Sequence, residues 1–197
     1  MSYMEEFEDF VTSVCGVYWM SIGGYRLLVD EMNATQKRQI HQLEDTNLSN
    51  ANMEFVDSLP CMYCEGDPNL PGATVLYTCS QKEYKEINRE GGSNWKFIGR
   101  MCVLTIYQYW EDHFRGQMAI ELEVKKDDIV SDIMGDLRLI RHSIIHHGGV
   151  TLRAVENCKL INWFKEGDEI SIDESKFKQI VFIIKKAIHD GNFIETV

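Results

Sequence analysis

A chain of 197 residues, 44% apolar and 26% charged, is long enough to bury a core as one domain and too apolar to be a disordered segment. Its net charge of −11 argues against promiscuous nucleic-acid binding, in which phosphate contacts dominate affinity. The acidic opening Met1-Ser2-Tyr3-Met4-Glu5-Glu6 lacks a basic-then-apolar leader, and no apolar run approaches the roughly eighteen residues of a membrane span. A cytoplasmic protein is therefore expected.

Residues 5–33 read as one long helix, with Phe7, Phe10, Val14, Val17, Tyr18, Ile22, Tyr25 and Leu28 inward. Ser21-Ile22-Gly23-Gly24 is a point where it can kink, and Thr35 to Asp45 continues it as a polar helix. Asn47 to Gly92 contains all three prolines, Pro60, Pro68 and Pro71. It reads as an irregular insertion, of the kind that covers or lines a cleft, within one domain spanning residues 1–197. Inside it, Glu54 to Leu59 and Gln81 to Ile87 read as short helical turns and Ala73 to Thr78 as a short strand.

The six cysteines are expected as reduced thiols in a chain without a secretory leader, Cys15 and Cys102 as small core residues. Cys61-Met62-Tyr63-Cys64 has the spacing of a zinc knuckle. Structural zinc takes four ligands, and only Cys79 and a histidine such as His41 are at hand to complete the set. A lone pair is a weak signal, so neither a metal nor another cofactor is expected.

Asn94 to Leu122 reads as a strongly apolar helix, with Val103, Leu104, Tyr107, Trp110, Phe114 and Met118 on one face. From Asp128 to His147, Ile129, Val130, Ile133, Met134, Leu137, Ile140, Ile144 and Ile145 recur at three- and four-residue steps, marking a second helix with one buried face. At about 100° per residue Arg141 falls inside that stripe, while His142 and His146, one turn apart, share the opposite side. A guanidinium cannot shed its charge, so burial demands a partner. Glu111 lies at the angle of the apolar face of the preceding helix, and an Arg141–Glu111 pair is the economical expectation. The alternative is a Glu111 at the edge of its stripe that reaches water.

Gly148-Gly149 ends the second helix. Leu160 to Phe164, the turn Lys165-Glu166-Gly167-Asp168, and Glu169 to Ile172 read as a small β-hairpin. Ser175 to His189 closes the chain as a helix with Phe177, Ile180, Ile184 and Ile188 inward, ended by Asp190-Gly191; His147 and His189 read as helix-end residues. The expected class is all-α.

Arg141, the polar His142 directly after it, Ser143-Ile144-Ile145 and then His146, late in an all-helical domain, resemble the HEPN family, whose motif is Arg, four to six residues, then His, with Asn, Asp or His often following the arginine. Tyr107-x-x-Trp110-Glu111-Asp112 is similar to the helix that packs beside the motif helix in some branches. Gly167-Asp168-Glu169-Ile170 followed by a helix resembles the closing element of many members. The resemblance spans about Trp95 to Asn192.

It implies a HEPN-like helical bundle and a metal-independent endoribonuclease working as a homodimer, with two motif helices facing each other across one composite cleft. RNA carries its own nucleophile, the 2′-hydroxyl, which must be deprotonated while the phosphorane is stabilised and the 5′-oxygen protonated. Imidazoles exchange protons near neutral pH, and a guanidinium offers a planar fork to phosphate oxygens. On this reading His146 is general acid and base, Arg141 holds the phosphate, His142 orients or transfers a second proton, and Glu111, Ser143 and His147 support them. The family also implies a prokaryotic toxin or phage-defence role, with a cognate antitoxin or regulatory protein as partner. Some toxin members carry a modifiable tyrosine two residues after the histidine; here Gly148 stands there, which puts that route of regulation in doubt.

Charge leaves a choice open. Arg138, Arg141, Arg153 and Lys159 face only Glu156 between Leu137 and Lys159, whereas Glu121 to Asp136 holds six carboxylates against Lys125 and Lys126. A locally basic motif helix on an acidic body fits a selective nuclease, and equally a protein that binds a basic partner. The alternative functions are a non-catalytic HEPN protein that binds a nucleotide or a partner such as a nucleotidyltransferase, and a helical scaffold in which Arg141 is structural.

Overall fold

The computed structural model describes residues 2–45, 52–68 and 70–196. It is mainly helical, 66% helix against 10% strand. Two compact units divide it: Met1–Ser21 with Lys96–Val197, and Ile22–Trp95, the boundaries falling inside two helices.

Helix α1 runs unbroken from Tyr3 to Asp45, 43 residues, or roughly 65 Å at 1.5 Å per residue. It thus joins the two helical stretches that the sequence suggested. In the first unit Phe7, Val11, Val14 and Tyr18, at four- and three-residue steps, are buried. Val17 and Leu28, expected inward, are exposed, because their angles fall off that row.

Helix α4 (Ser93–Tyr109) passes through a π-helical turn, Trp110–Phe114, into α5 (Arg115–Glu121). The turn is marked by the Arg115 N–H, which donates to the Trp110 carbonyl five residues back. A 3-10 turn at Lys126–Asp128 and the short β3 (Ile129–Val130) lead into α6 (Asp132–His146). The motif helix therefore begins four residues later than the sequence suggested. Helix α7 (Glu174–His189) is started by Asp173, whose carboxylate accepts from the Lys176 N–H; β4 (Glu195–Thr196) then pairs antiparallel with β3. The core of the unit is aromatic. Phe7 lies 4.8 Å from Phe114 and 5.2 Å from Phe193, and Tyr18 stacks on Phe177 at 4.1 Å, centroid to centroid.

The expected hairpin at Leu160–Ile172 is not a ladder. Its turn forms, the Asp168 N–H donating to Lys165 O at 3.1 Å. Thr151 then takes the place of an opposing strand: its N–H donates to Asp168 O, its carbonyl accepts from the Gly167 N–H, and its hydroxyl donates to Lys165 O. The N–H groups of Lys159, Leu160 and Ile161 donate to the carboxylate of Asp136 on α6, at 2.7–2.8 Å. With those donors committed, only Val150 and Glu169 bridge in strand fashion.

In the second unit the segment expected to be irregular forms regular elements; residues 47–51 and 69 of it lie outside the described residues. Helix α2 (Met53–Ser58), an antiparallel hairpin of β1 (Pro60–Glu65) and β2 (Thr74–Ser80), and α3 (Gln81–Asn88) follow one another. Lys85 salt-bridges Asp57 at 2.8 Å and donates to Gln36 on α1, which itself donates to Asp57, tying α1, α2 and α3 together. The Cys61-x-x-Cys64 pair lies on β1 rather than in a loop. Cys61 stands directly opposite Cys79, and the Cys64 thiol donates to the Gly66 carbonyl. Among the described residues no group of three or more His, Cys, Asp or Glu side chains is placed to hold a metal ion. Among them, too, no helix is long and apolar enough to cross a membrane.

Candidate functional site

Helix α6 positions the motif because both of its ends are anchored. Ile133, Met134, Leu137 and Ile140 are buried along one side. Asp136, 2% exposed, lies on the same side and binds the chain at residues 159–161 through three backbone N–H groups. At about 100° per residue Asp136 falls some 40° beyond Ile140, at the edge of the apolar stripe, a carboxylate whose angle the sequence already shows.

The other end is set by a glycine pair. His147 caps α6, and the Gly149 N–H donates to Ser143 O. Gly149 has φ +86°, and a Cβ there would lie 2.6 Å from the guanidinium carbon of Arg100. Arg100 donates to the Ile170 carbonyl and to Glu169, and the Ile170 N–H donates to Gly149 O at 2.7 Å. The helix end is thereby clamped between α4 and the segment before α7.

The histidines stand on the exposed side. His142 and His146 have ring centroids 4.8 Å apart, and His147 lies 5.6 Å from His142. All three are exposed. Ser143 points the other way. It is fully buried, its hydroxyl donates to Leu139 O and accepts from the Leu152 N–H, and its role is to hold the helix end.

Arg141 is half-buried at the border of the apolar stripe. Its guanidinium lies over the ring of Tyr107 on α4, 5.7 Å from the centroid. The expected Arg141–Glu111 pair is not formed. Glu111 Oε2 accepts from Arg115 at 2.7 Å and Oε1 is 3.0 Å from Lys126 Nζ, so both carboxylate oxygens are engaged. The straight 100° step behind that expectation does not hold across the π turn at Trp110–Phe114, and Arg115, one turn on, is the nearer cation. Burial would raise the Glu111 carboxyl, but the hydrogen bonds from Arg115 and Lys126 outweigh it and hold it below its usual range. Burial, then the charge of Glu111, pushes the Tyr107 phenol up against the opposing pull of Arg138, Arg141 and Arg115.

Among the described residues neither Arg138 nor Arg141 is ion-paired. Two guanidiniums one turn apart, with imidazoles at the same helix end, can grip an oxyanion and exchange protons. Compared with family models, curated proteins and solved structures, the chain matches none.

Proposed function

We propose that this protein is a metal-independent endoribonuclease of HEPN type that cleaves single-stranded RNA by attack of the 2′-hydroxyl. The observation that carries the reading is an Arg141 with no carboxylate partner among the described residues, on the helix that displays His142 and His146. A free guanidinium is available to phosphate, which a structural ion pair would not be. Five steps of about 100° set Arg141 and His146 roughly 140° apart around the helix. One chain alone then offers the phosphate grip and the proton-transfer group in different directions. A second copy related by a two-fold axis would complete the cleft, each copy lending one His146, one as base and the other as acid. The toxin or defence role, and an antitoxin partner, rest on the family analogy alone.

The experiment is incubation of purified protein with single-stranded RNA. Wild type should cleave, His146→Ala should be slower by roughly 10²–10⁴, and Arg141→Ala should be inactive while still folded. Cleavage indifferent to His146→Ala would assign the activity to another site or another protein. The net charge of −11 favours a second reading, a non-catalytic protein that binds a basic partner. A folded, pure wild type that leaves RNA intact would favour it.

A further inference from the structure

Toward the start of α6 lies a cleft of about 290 Å³ whose lining includes Trp110, Met134, Gly135 and Arg138 together with the charged Glu111, Arg115 and Asp127. Nothing stands within 4 Å of where a Cβ on Gly135 would be, so the helix surface there is open. Arg138 is exposed and carries no carboxylate partner among the described residues, and Arg141 follows one turn later.

The charges around this cleft are unevenly paired. Glu111 is held by both Arg115 and Lys126. The side chain of Asp127 is 97% exposed and 3.7 Å from Arg115. In the lining Glu111 and Asp127 balance Arg115 and Arg138, and Arg138, with Arg141 one turn on outside the cleft, has no carboxylate partner among the described residues. Ser131 makes no side-chain cap to α6, is only 9% exposed and borders the cleft and two neighbouring hollows, and its hydroxyl has no partner among the described residues. The first-turn N–H groups of α6 carry the positive end of the helix dipole, and Asp132 is the one carboxylate in that turn. A neighbouring hollow shares Val130, Ser131, Gly135 and Arg138 with the cleft and is otherwise bordered by Asp132, Asp136, Glu195 and Lys159.

We propose that the cleft beside Arg138 is a second phosphate-binding position, taking the phosphate of the nucleotide adjacent to the one cut. It rests on the endoribonuclease reading, and extends the contact of a bound strand from Arg141 along α6 to Arg138. Arg138 grips the phosphate oxygens, and the apolar wall of Trp110 and Met134 faces the sugar. Such a position lets an acidic protein hold RNA through few phosphates, which fits selective rather than general binding.

The test is binding without cleavage. A fluorescein-labelled, fully 2′-O-methylated single-stranded RNA offers no nucleophile, and its anisotropy reports affinity across a salt series. Arg138→Ala should weaken binding roughly tenfold, the low end for one charge-assisted hydrogen bond. It should also flatten the dependence of log Kd on log salt by about 0.7, one single-strand phosphate contact; Arg138→Lys should keep the slope. Wild-type affinity and slope in Arg138→Ala would overturn the proposal. Inorganic phosphate, added as competitor, separates the sources. Weak displacement at millimolar levels supports a strand phosphate, whereas tight displacement lost in Arg138→Ala would mean that the position takes a free phosphate and would overturn the assignment to RNA. If wild type binds in this Arg138-dependent way yet leaves unmodified RNA intact, the nuclease reading fails and the phosphate position stands. If it cleaves and Arg138→Ala binds normally, the reverse holds.

Discussion

The guanidinium of Arg141 rests on the ring of Tyr107, 5.7 Å from its centroid, and not on a carboxylate. A half-buried cation over an aromatic face keeps part of its hydration and gains about 0.5–1 kcal/mol, far less than a buried ion pair would put at stake. Arg141→Ala should therefore destabilise the fold by only about 1 kcal/mol in chemical denaturation. A loss of about 3 kcal/mol or more would mean that the side chain is a structural tie between helices.

Asp136 is where the fold depends on a charge. Its carboxylate satisfies three backbone N–H groups at residues 159–161, and Ile161 is fully buried. Asp136→Ala should cost about 3 kcal/mol or more, because buried donors left unsatisfied cost about 1–3 kcal/mol each. Asp136→Asn, which keeps one accepting oxygen, should cost less. A midpoint for Asp136→Ala equal to that of wild type would remove Asp136 from this role.

Most of the helical frame was legible in the sequence because it is amphipathic. The stripe of α7 reads directly, as does that of α6 apart from the exposed Ile145, and α3 and β2 lay close to their expected bounds. What was not legible has physical reasons. The π turn at Trp110–Phe114 leaves no composition signal, and it upset the angle assigned to Glu111. Cys61 to Cys64 reads as a loop beside Pro60 but pairs with β2 once the opposite strand is present. The apparent hairpin at Leu160–Ile172 fails because Thr151 and Asp136, distant in sequence, take its hydrogen bonds. Of the site residues, His142 and His146 lie together as spacing dictates, Ser143 is a core residue, and Arg141 is at the edge of its stripe.

Acid should weaken the fold through Glu111 among other carboxylates. Its folded pKa is below its usual value near 4.5, because the hydrogen bonds from Arg115 and Lys126 outweigh the effect of burial. A depressed folded pKa adds stability that is complete above the unfolded value and is lost as pH falls through the folded one. Denaturation midpoints should therefore drop below about pH 4.5, and Glu111→Gln should show a shallower drop than wild type. Parallel curves for the two proteins would contradict the pairing of Glu111 with Arg115 and Lys126.

The composite cleft calls for two copies. Ile145, expected inside the apolar stripe, is instead 48% exposed and borders the His142 and His146 face of α6, where a second motif helix would lie. Sedimentation should give a dimer at micromolar concentration, and Ile145→Asp should yield a folded, inactive monomer. A wild type that is strictly monomeric while active would rule out the shared site.

The central claim is tested most directly by the chemistry of the cut. With excess EDTA present, purified protein should cleave single-stranded RNA and leave a 2′,3′-cyclic phosphate, and the same strand with a 2′-deoxy sugar at the cut position should resist. The ends can be read by mass spectrometry of the products. Cleavage of the 2′-deoxy strand, or activity abolished by chelation, would contradict the account.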